Sequence, residues 1–176
     1  QIAGLSTTAF AALTATELGG LTSTVIAELT PAQLAAMTTT QLRGLVAAQV
    51  GAMSADQLAA LSTTQVAAMS AAQIHGLTST AMAELSEAQL ASLTSSQIGW
   101  LSTSALGGLS ETQIAALSTT QVAGLTTTQL VALAPTAVAA LETTDLAALT
   151  TTQLRGLTST AIGALTTTQV AALTDA

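Results

Sequence analysis

The sequence has no cysteine and no tyrosine, and only one tryptophan and one phenylalanine in 176 residues. Without thiols there can be no disulfide framework, zinc finger or cysteine chemistry, while the compartment stays open. Without aromatics, a core has to be built from aliphatic side chains. Positive charge is almost missing too: Arg43 and Arg155 stand alone against nine Asp and Glu, for a net charge of −7. Phosphate recognition needs clustered cations, so nucleic acid is excluded as a partner. Long apolar runs are equally absent. Mean hydropathy is positive, yet a polar cluster recurs every few residues, and no stretch reaches the roughly 18 apolar residues a transmembrane helix requires.

What is present is a repeat. Leu or Met recurs every eight residues from Leu5 to Leu173 without an insertion or deletion. With Leu5 as position 1, position 2 is Ser or Thr except at Val46, Ala134 and Glu142. Position 5 is usually Gln, position 6 is always apolar, and positions 7 and 8 are mostly Ala or Gly. The octad reads L-[ST]-x-x-Q-[LIV]-[AG]-[AG], and it fills 1–176 as one continuous array.

Eight residues fit no uninterrupted element. A continuous helix turns about 800° per octad, so its apolar positions would drift by roughly 80° with every copy. A strand would put positions 1 and 6 on opposite faces. A short helix that restarts in every octad resolves both conflicts, and its start signal is visible. Ser or Thr at position 2 and Gln at position 5 stand in capping-box spacing, as in Ser62 with Gln65 and Thr150 with Gln153. Pro31 and Pro135 both fall at position 3, the first helical residue, where a missing amide is tolerated. The expected fold is all-α: a superhelical solenoid of short capped helices, one per octad, with positions 1 and 6 filling a narrow interior.

Departures from the consensus set the pitch. The bulky residues at positions 7 or 8 are Arg43, His75, Trp100, Val131 and Arg155, in octads 5, 9, 12, 16 and 19. Their spacing alternates four and three. Gln gives way to Val25, Ala81, Ala105, Ala137 and Ala161 in octads 3, 10, 13, 17 and 20, in the same phase, with Ala9 the one small replacement off phase. Equivalent sides therefore return every three to four octads, or about 28 residues, which is read as one turn of a stacked superhelix. The five bulky residues form a candidate interface column, where large side chains cover a gap or meet a neighbouring molecule.

Stacked turns at about 9 to 10 Å would make a rod of about 60 Å. Such arrays contact only their neighbours along the stack and need polar caps at their ends. Neither end of this sequence supplies one. Gln1 to Gly4 are positions 5 to 8, and Leu173 to Ala176 are positions 1 to 4. Either the sequence is a window from a longer repetitive protein or copies stack head to tail into a fibre, and the expected partner is self, head to tail or laterally. Octads such as LSTTQVAAM at 61–69 and LTTTQLRGL at 149–157 resemble the L-[ST]-x-x-Q repeat tracts of large bacterial surface and secreted proteins. The resemblance implies an extracellular or cell-surface structural role: a filament, sheath or adhesin stalk. It brings no catalytic residue with it.

Catalytic chemistry finds no foothold in the sequence. His75 is the only histidine, and no nearby acid cluster gives it metal-ligand spacing. Hydroxyls are abundant, but a nucleophilic serine needs an activating base and a third orienting group. The nine acids are scattered singly, without calcium-loop spacing. Glycines are spread over positions 7 and 8, so no phosphate loop is implied. The sequence thus predicts no catalytic residue, cofactor, metal or small-molecule ligand. The competing reading is a binding module, including a Thr-rich ice-binding surface, against which the bend in every octad argues because ice needs a flat face.

Overall fold

A computed structural model describes residues 2–174. A 3-10 turn at Ile2–Gly4 leads into twenty-one α-helices, from Thr7–Ala11 to Thr167–Thr174, and there is no strand among the described residues. Each helix begins at position 3 of its octad, and most end at position 7. The expected all-α solenoid of one short helix per octad is the observed fold.

The local cause is the cap. At position 2 the backbone is extended, as at Ser62 with φ −68° and ψ 158°, which turns the chain away from the preceding helix. The Ser62 hydroxyl accepts a hydrogen bond from the Gln65 amide at 3.2 Å, and Gln65 Oε1 accepts from the Ser62 amide at 2.7 Å. The same reciprocal pair joins Thr150 and Gln153 at 3.3 and 2.9 Å. Pro31 and Pro135 open their helices as the register requires. At the other end, position 8 keeps helical angles and the position 1 amide donates to the position 6 carbonyl, as Leu61 does to Leu58 at 3.1 Å. A five-residue helix with one N-cap and one closing turn is far too short to persist alone. Its stability comes from the turns above and below.

Those turns stack with a half-octad stagger. Helix Ala47–Gly51 packs against Ala71–Gly76, and Ser95–Trp100 against Thr119–Ala123, each pair three octads apart. Hydrogen bonds between turns reach back 28 to 31 residues, so a superhelical turn takes about 3.5 octads. Position 6 side chains are sealed in the interior through most of the array, and position 1 side chains lie just outside them. The end turns reveal which way each position faces. Leu5 is 37% exposed and Leu13 and Leu21 are half-buried, although Phe10, Leu18 and Ile26 beside them are fully covered. In the last turns the exposed apolar residues are instead Ile162 and Val170, at position 6. Every turn therefore offers position 1 to the turn before it and position 6 to the turn after.

Small residues set how closely turns approach. No described residue, glycine included, has positive φ, so the glycines are there for space and not for a left-handed backbone. A Cβ on Gly76 would lie 2.3 Å from the Ala47 carbonyl oxygen, and one on Gly124 would lie 2.3 Å from that of Ser95, in each case on the preceding superhelical turn. Backbone cannot yield as a side chain can. Gly76→Ala should therefore lower stability by about 1 to 3 kcal/mol. Gly163, where an added Cβ would meet no atom within 4 Å, should accept Ala neutrally or gain up to about 1 kcal/mol from helix propensity. Urea melts of the two variants beside the wild type check the contrast, and equal midpoints would refute it.

Candidate functional site

Thirteen octads from Leu5 onward carry Gln at position 5, and all thirteen side chains are buried. Their role extends beyond the cap. In every one, Nε2 donates to the backbone carbonyl 28 residues earlier, from Gln33 to Leu5 through to Gln169 to Leu141, at 2.6 to 3.0 Å. Most also reach a carbonyl 30 or 31 residues back, as Gln65 does. That side chain donates to Met37 at 2.8 Å, Leu34 at 3.0 Å and Ala35 at 3.4 Å. These carbonyls belong to the junction between two helices of the turn below, where the last helical turn leaves acceptors without intrahelical donors. The half-octad stagger sets each glutamine over such a junction. One carboxamide thus completes an N-cap in its own turn and a C-terminus in the previous one, and no buried side-chain polar atom among the described residues lacks a partner.

Sequence reasoning identified the capping half of this arrangement and missed the inter-turn half. The available signal was the choice of Gln over Glu, thirteen to one at position 5, since a capping box accepts Glu equally well and a helix N-terminus favours the anion. Glu17 shows the difference. It lies exposed in the first turn, accepts from the Thr14 amide at 2.7 Å and from its hydroxyl at 2.8 Å, and its carboxyl is held below the usual range by those bonds, the amide first. Asp145 is the one buried acid at position 5. Oδ2 accepts from the Glu142 amide at 3.2 Å, and Oδ1 meets a donor in place of a carbonyl, the Thr119 hydroxyl at 2.9 Å. Ala81, Ala105, Ala137 and Ala161 are also buried, with no side chain to bridge the turns.

The candidate column lies wholly on the outside. Arg43, His75, Trp100, Val131 and Arg155 are all exposed, Trp100 by 37% and Val131 by 52%. One falls in each successive turn, along one side of the solenoid. Arg43 Nε donates to the Ala68 carbonyl of the next turn at 2.8 Å, which braces the guanidinium against the surface. The helices bearing His75, Trp100 and Val131 run one residue longer than most, ending at Gly76, Trp100 and Ala132 with the following Leu as cap. Each precedes an octad without the position 5 glutamine. Among the described residues no pocket opens, and no three His, Asp or Glu side chains gather as metal ligands could.

Short helices in unbroken register, stacked through a core and a ladder of side-chain amides, define an all-helical repeat solenoid. The ALTTAQ repeat family matches residues 26–63, 57–87 and 138–175, more than half of the sequence, and the chain belongs to that family. No curated protein matches it.

The ladder makes a prediction about charge. Gln65→Glu keeps the capping acceptor but sets an anion against the carbonyls of Leu34 and Met37. Burial beside acceptors favours the protonated acid, so the folded-state pKa rises above its unfolded value. The variant should be closest to wild type at about pH 4. Its loss should grow as pH rises above the unfolded carboxyl value and level off above the raised folded one, reaching about 2 kcal/mol or more near pH 7. Conversely, Asp145→Gln restores reach to the Leu117 carbonyl and should raise the melting temperature. Thermal melts from pH 4 to 8 check both signs.

Proposed function

We propose that the chain is a non-enzymatic structural rod, a length of solenoid that serves as a filament, sheath or adhesin stalk outside the cell. The observation that carries this reading is the uniform mating of turns inside the array: each offers position 1 to the turn before it and position 6 to the turn after, sealed by a row of glutamine bonds, so any turn accepts another like it. A contact of this heterologous kind does not close, so it extends. The likeness of the octads to L-[ST]-x-x-Q tracts of bacterial surface and secreted proteins supports an extracellular place for the rod. The surface supports a mechanical role over a chemical one: His75 is the single histidine, and position 2 hydroxyls are committed to caps, as at Ser62 and Ser70.

Electron cryomicroscopy of the isolated chain over a range of concentrations tests this. The expected images are rods of about 60 Å that join end to end into filaments at higher concentration. Ile162→Glu with Val170→Glu should abolish the filaments while leaving single rods and the melting temperature nearly unchanged. Compact particles would overturn the rod, and filaments that survive the double substitution would overturn stacking through these faces.

A further inference from the structure

Charge on this solenoid is sorted by side. Residues 28 apart lie one above another, since each ladder glutamine touches the carbonyl 28 residues before it. Glu28, Asp56, Glu84, Glu111 and Glu142 follow at close to that interval, one per turn, and all five are exposed. They form a continuous acidic row, which Glu87 widens. Arg43, His75, Trp100, Val131 and Arg155 follow the successive members of that row by 13 to 20 residues, between about half and about 0.7 of a turn. The two arginines, the histidine and the exposed tryptophan thus run down the half of the circumference opposite the acids. Glu17 is the one described acid on the arginine side, and its carboxylate is taken up by the amide and hydroxyl of Thr14. Asp145 is buried, and Asp175 lies outside the described residues.

We infer that copies of this chain associate side by side, with the Arg43–His75–Trp100–Val131–Arg155 row of one copy seated on the Glu28–Asp56–Glu84–Glu111–Glu142 row of the next. The inference rests on the rod reading above, because only a straight stack of turns keeps each row on one face. The occupant is a second copy because both halves of the contact are present on every chain: an acidic row with one carboxylate per turn and, on the opposite side, a row of the same spacing that carries both arginines of the sequence. Two chains of net charge −7 repel in most orientations, and this one brings unlike charges together. Opposed faces make the contact front to back and not two-fold, so it propagates into a raft of parallel rods and does not stop at a dimer. Trp100 and Val131 supply apolar area at the middle of the row, and Arg43 and Arg155 flank it with guanidinium cations.

A charge-swap experiment decides this. Sedimentation velocity on the wild type in about 50 mM salt should show species larger than the single rod, and about 500 mM salt should weaken association roughly tenfold by screening. Trp100, the sole tryptophan, should shift its emission to the blue when the larger species form. Arg43→Glu with Arg155→Glu makes both faces acidic, and Glu28→Lys with Asp56→Lys, Glu84→Lys, Glu87→Lys and Glu111→Lys makes both basic. Each variant alone should remain a single rod with unchanged helical circular dichroism, and mixing the two should restore association. Association of either variant alone at the wild-type level, or failure of the mixture to associate, would overturn the inference. So would a wild type that stays single in low salt but binds added heparin, which would assign the cationic row to an acidic polymer. In each of these outcomes rods remain visible by microscopy. Failure of the rod reading would instead show as compact particles for every variant.

Discussion

The interaction on which this architecture depends is the two-ended hydrogen bonding of the position 5 carboxamide. Every short helix exposes unpaired amides at its start and unpaired carbonyls at its end, and an array with one helix per octad multiplies both. A glutamine supplies an acceptor and a two-proton donor on one rigid plane. Oε1 closes the start of its own helix while Nε2 closes the end of helices one turn below, as Gln57 does for the Ser54 amide and the Leu29 and Ile26 carbonyls. The geometry works only if each helix sits above a junction, which requires a half-integral number of octads per turn. The turn length and the glutamine are therefore one constraint seen from two sides.

Local and tertiary signals can be weighed against each other where the consensus lapses. At Val46 the cap hydroxyl is missing, but Gln49 still accepts from the Val46 amide at 2.8 Å and the helix Ala47–Gly51 forms. In octad 17 both halves of the box are gone, with Ala134 at the cap and Ala137 in place of Gln, and Pro135–Ala139 is nonetheless helical. Proline at the first helical position and two neighbouring turns suffice there. Each cap contributes about 1 kcal/mol, while a fully buried aliphatic contributes about 1.5 to 3 kcal/mol. The interior thus outweighs any single cap, and the repetition of caps sets direction more than stability.

The same restriction of residue types shapes the surface. Ala and Gly at positions 7 and 8 let turns approach until backbone meets backbone, which leaves few outward positions for larger side chains. Those few are used selectively: every exposed acid among the described residues but Glu17 on one face, and the cations with the only tryptophan on the other. Two kinds of contact are thus separated in direction: aliphatic layers mate turn to turn along the axis, and charge is sorted across it.

Much of this was legible in the sequence because an octad period is incompatible with any continuous element, so the chain has to bend once per repeat, and Ser62, Gln65 and Pro31 show where. The turn length was legible too, from the three-and-four alternation of Arg43, His75, Trp100, Val131 and Arg155. What only the tertiary structure decided is the destination of each Nε2. Spacing within one octad specifies bonds between near neighbours such as Ser62 and Gln65, whereas the partner of Gln65 at Met37 comes into reach only once turns have stacked. The sidedness of charge has the same origin: Glu28, Asp56 and Glu84 are isolated acids in a linear reading, and become a row only when the turn places them one above another.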